Sequence, residues 1–259
     1  MTATADRDRK LAISITEVAL CALVVFIHIA SDTVSNGEPD SPFTLLVILA
    51  QKLAGFAMPG FIFASALKIT LGRGRRGKGA RNYVRFIVGR VRRVYAPYML
   101  WVVIFYLFFV CIAHYFPFSL RELGNYILRG NLVAHFYFII VVMQFHLLAP
   151  AIERAAEKYP IPTIALSVII TCAALTASGR GVGNLMWDRV FPSYLVYWTL
   201  GTYVGLNYDK LRPKLTQRRV LTASLCVAIA VPLLLLRHTA RAQTPSARTS
   251  WKPCSSPTE

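Results

Sequence analysis

The chain has 259 residues, of which 55% are hydrophobic and only 16% are charged, and its mean hydropathy is +0.49. A soluble domain carries about 25% charged residues. It also lacks continuous apolar blocks of about 20 residues, which is the length of helix that crosses a bilayer. The formal net charge of +17 lies mostly in short loops between such blocks, which is typical of a membrane protein. Composition therefore predicts an integral membrane protein and excludes a soluble domain or a nucleic-acid-binding protein.

Seven apolar blocks predict membrane-spanning helices, because backbone groups in lipid must be hydrogen-bonded within their own segment. The blocks cover residues 11–31, 44–71, 94–116, 132–150, 161–178, 190–206 and 220–237. Pro59 predicts a tilt or kink in the second block. We expect an all-α, polytopic transmembrane bundle over residues 1–237, followed by a disordered tail over residues 238–259 that is rich in Ser, Thr, Pro and Arg.

The basic residues predict the orientation of the chain in the membrane. They precede the first block, fill the loop between the second and third, and recur after the sixth, whereas the loop after the first block is acidic. Lys and Arg are enriched in cytoplasmic loops. The pattern therefore predicts a multi-pass protein with a cytoplasmic N-terminus.

The first block carries polar side chains along one helical face. They recur at spacings of three, four, seven and four and are Ser14, Glu17, Cys21, His28 and Asp32. Ionisable groups inside a span are costly and usually face a bundle interior or an aqueous cavity. His28 lies about 16 Å along the helix from Glu17, it can take up a proton near neutral pH, and Asp32 is one turn further on. A catalytic His28 oriented by Asp32 and a histidine hydrogen-bonded within the bundle both fit this pattern.

Two arginines stand at the start of the third block, in the segment GRVRRVYAPYMLW of residues 89–101. Arg90 and Arg93 are three residues apart and share one face of an α-helix. Guanidinium groups bind phosphates through paired donors, so the pair is a candidate site for a phosphate-rich cytoplasmic ligand. Arginines that only anchor the helix at anionic headgroups have the same pattern.

The fourth block contains two polar residues on one face, Tyr137 and Gln144, seven residues apart. They are candidate substrate contacts, although a Tyr or Gln in a span usually bonds to a neighbouring helix. His135 and His146 lie on the opposite face, too far apart along the helix to hold one metal ion. We therefore expect no metal site.

Four segments in order resemble the acyltransferase 3 family of bacterial membrane O-acyltransferases, and most of all its intercellular-adhesin, polysaccharide-modifying type. They are VVFIHIASD, FAMPGFIFAS, RVRRVYAPYMLW and HFYFIIVVMQFHLLAP, and the resemblance covers about residues 10–205.

The resemblance implies an inner-membrane enzyme that moves an acyl group, acetyl or succinyl, from cytoplasmic acyl-CoA to a surface polysaccharide or its lipid-linked precursor. Acyl-CoA is then a donor substrate, and no bound cofactor is expected. His28 matches the essential histidine of the family, and Arg90 and Arg93 match its cytoplasmic R-x-x-R. A non-catalytic accessory protein for polysaccharide export or synthesis is the alternative that the same resemblance allows.

The sequence also departs from the family pattern at three points. Glu17 stands where many members have an arginine eleven residues before the histidine, and Ser65-Ala66 stands where a Ser-Gly pair is usual. Members typically have about ten spans, so the seven blocks and the abrupt change after Arg237 suggest a C-terminally truncated or inactive copy, as a frameshift would produce.

Overall fold

The computed structural model describes residues 3–36, 38, 41–75, 77, 79–133, 135–180 and 187–217, and all regular structure in them is helical. The α-helices of this part of the chain are α1 (Ala3–Asn36), α2 (Pro42–Ala54), α3 (Ala57–Leu71), α4 (Ala80–Arg90), α5 (Ala96–Leu107), α6 (Leu120–Arg129), α7 (Tyr137–Lys158), α8 (Pro160–Gly179), α9 (Leu195–Leu206) and α10 (Tyr208–Gln217). Two π-helical turns, Val91–Tyr95 and Phe108–Ile112, extend α5 at both ends. Short 3₁₀-helices lie at Arg73–Arg75, Trp187–Arg189 and Phe191–Tyr194. The all-α prediction is confirmed.

Five segments of the described chain are long and apolar enough to cross a membrane. They are Leu11–Asn36, Pro42–Leu71, Arg81–Ile112, Tyr137–Lys158 and Pro160–Gly179, and they match the first five predicted blocks. In the sixth block, α9 has only 12 residues, about 18 Å of helix. The seventh block and the tail over residues 238–259 lie outside the described residues. The chain is therefore a multi-pass helical membrane protein, but the count of seven spans is not confirmed.

The described residues form two compact units. The first comprises those within Met1–Arg75, Ala149–Thr171 and Tyr194–Arg237, and the second comprises those within Arg76–Leu148 and Cys172–Ser193.

The second span of the first unit is broken in its middle, at Gly55 and Phe56 between α2 and α3. Pro59 explains the position of the break. A proline in a helix has no N–H for the carbonyl four residues earlier, and its ring clashes with that carbonyl. The carbonyl in question belongs to Gly55, so the break lies one turn before the proline that marks this position in the sequence.

Helix α1 packs antiparallel to α2 and α3. Early residues of α1 meet the end of α3, where Lys68 binds Glu17, and late residues of α1 meet α2, where Gln51 binds Ser31. Between these two contacts, a Cβ at Gly60 would lie 2.9 Å from a methyl group of the buried Leu20. The three contacts fix the register of the two spans.

Helices α3 and α9 approach each other closely through small residues. Gly201 and Gly205 lie one turn apart on α9. A Cβ at position 201 would clash with the Phe63 carbonyl oxygen and lie 2.9 Å from Ala66 Cβ, and a Cβ at position 205 would lie 2.8 Å from Thr70 Cβ. Two small residues four apart commonly allow such contact between membrane helices.

A polar cluster joins the end of α3 to α7 in the first unit. The Thr70 hydroxyl donates to the buried Glu153 carboxylate at 3.5 Å, and the Arg73 guanidinium donates to the Glu157 carboxylate at 2.5 Å. The hydrogen bond to Glu157 raises the pKa of Arg73 above its usual value, against the opposing effect of partial burial. The cluster supplies hydrogen bonds to a carboxylate that would be costly to bury alone.

The second unit has an aromatic core between α5 and α6, built on Tyr98, Val102 and Phe136. The Tyr98 hydroxyl donates to the Ile127 carbonyl at 2.8 Å. The hydroxyl of the buried Tyr106 donates to the Ser119 carbonyl at 2.9 Å and accepts from the Ser119 N–H at 2.7 Å. These bonds attach both ends of α6 to α5.

Candidate functional site

His28 lies near the end of α1 and is exposed. The packing face of α1 is formed instead by residues that recur every three or four positions and are buried or half-buried, among them Glu17, Leu20, Val24, Ile27 and Ser31. At about 100° per residue, the predicted polar stripe lies to one side of this packing face, with Glu17 on the border. His28 and Cys21 are therefore exposed beside the contact of α1 with α2 and α3. The backbone of Asp32 continues the helix one turn on, and its side chain is outside the described part of the structure.

A neighbouring span holds the turn of α1 that carries His28. The Gln51 side-chain amide donates to the Ser31 hydroxyl at 2.5 Å and approaches the Ile27 carbonyl at 3.4 Å. The Ser31 hydroxyl donates in turn to the Ile27 carbonyl at 2.8 Å. Because these residues flank His28 on both sides, Gln51 restrains the backbone from which the imidazole projects.

Glu17, eleven residues before His28, forms an ion pair with Lys68 of α3 at 2.8 Å. Both carboxylate oxygens lie within 3.0 Å of the ammonium nitrogen. The negative charge that departs from the family pattern on the stripe is therefore neutralised by a cation from a different helix.

Arg90 and Arg93 lie at a π-helical turn. Arg90 is the last residue of α4, and Arg93 lies within the turn, where the Ala96 N–H donates to the Val91 carbonyl five residues earlier. The spacing of three residues was expected to place both arginine side chains on one face of an α-helix. A π-turn holds more residues than an α-turn, so the same spacing leaves the two side chains further apart around the helix axis. Arg90 is half-buried with its guanidinium 5.2 Å from the Phe86 ring centroid, whereas Arg93 is exposed.

Pro97 gives the sequence reason for this turn. Its missing N–H leaves the Arg93 carbonyl without the usual α-helical partner, and its ring crowds that carbonyl. The wider turn accommodates the ring while the helix continues from Ala96. Single π-turns of this kind are frequent at functional sites.

Gln144 braces a connecting segment of the second unit. Its amide nitrogen donates to the Arg189 carbonyl at 2.8 Å, and its amide oxygen accepts from the Phe191 N–H at 2.9 Å. The expected bonding of an intramembrane Gln to neighbouring protein is thus observed, and it uses both ends of the amide. Tyr137 is half-buried at the first position of α7, where its backbone would lie 2.9 Å from a Cβ at Gly130.

The predicted site residues fall into the two units. His28 and the backbone of Asp32 belong to the first, and Arg90, Arg93, Tyr137 and Gln144 belong to the second. Their roles in catalysis or binding stay predictions.

Sequence reasoning missed several residues that organise these sites. Gln51 and Lys68 are polar residues inside a predicted span, which itself marks a residue for attention, but their partners are 20 and 51 residues away. Gly201 and Gly205 form a G-x-x-x-G pattern that was readable in the sequence.

Comparison with known proteins gives a family and several relatives. The model of a family described as an acyltransferase domain (acyltransferase 3) matches residues 13–255, which extends past the segment of the four motifs. Proteins from Staphylococcus aureus strains MSSA476, MW2 and N315, each named "Probable poly-beta-1,6-N-acetyl-D-glucosamine export protein", are 25% identical to the chain over 225 residues. The alignment covers 81% of this chain and 60% of each relative, so the chain spans less than two thirds of their length. No solved structure matches the chain.

Proposed function

The chain belongs to the acyltransferase 3 family, and from this premise we propose that it is a membrane O-acyltransferase that moves an acyl group from acyl-CoA to a surface polysaccharide or its lipid-linked precursor. The observation that carries the proposal is the family match over residues 13–255. The acyl group is acetyl or succinyl in this proposal.

Arg90 and Arg93 are proposed to bind the phosphates of the donor. Coenzyme A carries a diphosphate and a 3′-phosphate, and guanidinium groups suit such oxygens because their planar donors bind two at a time. The different environments of the two side chains support a division of labour. Arg90, held over Phe86, supplies a fixed charge, and the exposed Arg93 is free to follow the ligand.

His28 is proposed as the general base for the acceptor. It takes the proton from a glycan hydroxyl while the oxygen attacks the thioester carbonyl carbon. A carbon–oxygen bond forms, the carbon–sulfur bond breaks, and the CoA thiolate leaves and takes up a proton. Asp32, one turn further along α1, holds the imidazole tautomer. Tyr137 and Gln144 are the candidate substrate contacts on α7, and the Gln144 amide also supports the segment around Arg189.

The proposed orientation follows the charges of the loops. Lys and Arg are concentrated in the first turns of α1, ahead of the span that begins at Leu11, and between α3 and α5, so the N-terminus and the Arg90–Arg93 segment face the cytoplasm of a bacterial cell. Acyl-CoA is present on that side. His28, at the other end of α1, then lies toward the outer face of the inner membrane.

Labelled acyl transfer tests the proposal. Cells that express the chain are supplied with radiolabelled acetyl or succinyl donor, and label in surface glycan is compared with cells that express His28→Gln at equal membrane level. We expect label with the parent and at least a tenfold loss with the variant. His114→Asn is the matched control, because His114 is exposed in a loop with φ of 52°, a conformation that Asn tolerates. Equal labelling by the parent and His28→Gln refutes the role of His28.

A second candidate function, polysaccharide export, is favoured by the name of the S. aureus relatives. The two are separated by what changes in the glycan. An exporter alters the amount of glycan outside the cell without altering its acyl content, whereas a transferase alters the acyl content.

A further inference from the structure

Helix α6 is a short helix between two candidate spans. It begins after Ser119, whose hydroxyl accepts from the Glu122 N–H at 3.4 Å, and ends at Gly130, which is left-handed. Its ten residues measure about 15 Å, half of the roughly 30 Å hydrocarbon thickness. The helix is thus too short to cross the membrane.

Three different faces run along α6. Leu123, Tyr126 and Ile127 pack against the aromatic core of α5. Leu120 and Leu128, eight residues apart and aligned with Gly124 between them, are 72% and 69% exposed. The third face is polar, and it consists of Arg121, Glu122, Asn125 and Arg129. An amphipathic helix that only covers a core has two faces, so the exposed leucine stripe needs a separate explanation.

The rotation of α6 about its own axis is fixed. The Tyr98 hydroxyl donates to the Ile127 carbonyl, and Tyr106 both donates to and accepts from the backbone of Ser119. The Arg189 guanidinium donates to the Arg129 carbonyl at 3.0 Å. The helix cannot roll to bury Leu120 and Leu128 without breaking these bonds.

Exposed apolar side chains are also found at the end of the third span. Ile112, the last residue of that span, is 69% exposed, and Tyr115 and Phe118 in the following loop are each 56% exposed. The next span begins at Tyr137. Because consecutive spans run in opposite directions, the end of one and the start of the other lie at the same membrane surface. Helix α6 lies between them in the chain.

We propose that α6 is an in-plane interfacial helix that binds the bilayer leaflet at which the third span ends. Leu120 and Leu128 insert among the upper acyl chain segments, and Arg121 and Arg129 bind lipid phosphates. The order of the faces around α6 supports binding to the bilayer. The leucine stripe lies between the face that packs on the protein core and the polar face, and Arg121 borders the stripe. Interfacial helices have this arrangement of an apolar face beside basic residues.

The size of the stripe argues against a protein partner. A stable protein interface takes about 800 Å² from each partner, whereas the stripe offers two leucines over two turns of helix. A bilayer needs no such area, because the neighbouring spans already hold the protein in it.

Depth-resolved quenching tests the proposal. The five natural cysteines are replaced, single cysteines are placed at Leu120, Leu128, Asn125 and Glu122, and each is labelled with an environment-sensitive fluorophore after reconstitution into vesicles of phosphatidylcholine and phosphatidylglycerol. We expect lipids spin-labelled near the headgroup to quench positions 120 and 128 at least about threefold more than position 125, and aqueous iodide to show the reverse order. Position 122 should behave as position 125 does.

Two outcomes overturn the proposal. Strong iodide quenching at positions 120 and 128 places the stripe in water, and protection of both positions from both quenchers shows that protein covers them. Leu128→Trp gives an independent measurement if a labelled variant misfolds, with quenching by brominated lipids read as the difference from the parent, which has four tryptophans of its own. For the phosphate contacts, Arg121→Gln combined with Arg129→Gln should lower the preference for spin-labelled phosphatidylglycerol over phosphatidylcholine by about twofold or more. An unchanged preference refutes that part.

Discussion

Lys68 of α3 and Glu17 of α1 form an ion pair of 2.8 Å. Glu17 stands on the same helix as His28, eleven residues before it. Many members of the family that the chain resembles have an arginine at this position, whereas Glu17 places an anion on the polar stripe. Lys68 restores neutrality from a neighbouring span. The pair is partly open, since the side chains are 53% and 28% exposed, so it is not a buried ion pair with a large desolvation cost.

Removing the cation should destabilise the contact between α1 and α3. Lys68→Ala leaves the Glu17 carboxylate in a span without its partner, which is unfavourable. We expect a coupling free energy of about 1 kcal/mol from a double-mutant cycle with Glu17→Gln, measured by thermal unfolding in detergent. Lys52→Ala, at an exposed lysine of α2, is the matched control and should have little effect. Additive single and double substitutions would show that the pair contributes nothing.

Gln51→Leu should lower turnover more than binding. The substitution removes the donor to Ser31 and Ile27 and loosens the turn that carries His28. If His28 acts as the base, a small displacement lowers kcat by about tenfold while KM for acyl-CoA stays within about twofold. Steady-state transfer kinetics test this. Ser31→Ala removes the hydroxyl that accepts from Gln51, so the double variant should lose little more kcat than either single variant. Independent, additive losses would contradict a shared positioning role.

Gly201→Ala should destabilise the packing of α3 on α9. The added methyl group would clash with the Phe63 carbonyl oxygen and crowd Ala66, and backbone cannot move aside as a flexible side chain can. We expect a loss of about 1–3 kcal/mol in the free energy of unfolding. Gly89→Ala is the control, because a Cβ there meets nothing within 4 Å, and it should be neutral or stabilising. Equal stability of the two variants would refute the close approach.

The helices were predictable from the sequence because their signal is local. Blocks of apolar residues fix where a span lies, and Pro59 marks a break within one turn. The prediction was less successful where local and tertiary signals compete. The π-turn at Arg93 follows from Pro97, but a proline in a helix can kink, break or widen it, and the sequence does not say which.

The candidate site was only partly predictable for a related reason. The polar character of His28 and Arg90 is visible in their own segments, whereas Lys68 and Gln51 gain their roles from residues on another helix. Gln144 was a candidate substrate contact by its position in a span, yet its amide is engaged by the backbone at Arg189 and Phe191. Such pairings depend on register between segments far apart in the chain.

Tyr126 of α6 should titrate at a higher pH in the folded chain than in the unfolded one. Burial, and then the nearby Glu122 carboxylate and Tyr106, raise its pKa above the usual value of 10.0. The contribution of the neutral phenol to stability is therefore complete below about pH 10 and is lost as the pH rises through the folded-state value. The ultraviolet difference between the parent and Tyr126→Phe, recorded against pH, isolates this phenol. The same titration in folded and denatured protein would contradict the shift.

Pro97→Ala should weaken donor binding without unfolding the protein. An alanine supplies the N–H that the Arg93 carbonyl lacks and removes the ring that crowds it, so the π-turn is expected to revert toward an α-turn. Arg93 then rotates relative to Arg90, which is held over Phe86. If both arginines bind the phosphates of acyl-CoA, KM for the donor should rise by about three- to tenfold, with thermal stability equal or higher. Pro160→Ala is the matched control, because a proline at the first position of α8 replaces no helical hydrogen bond. An unchanged KM in Pro97→Ala would mean that the π-turn does not set the spacing of the two arginines at the donor.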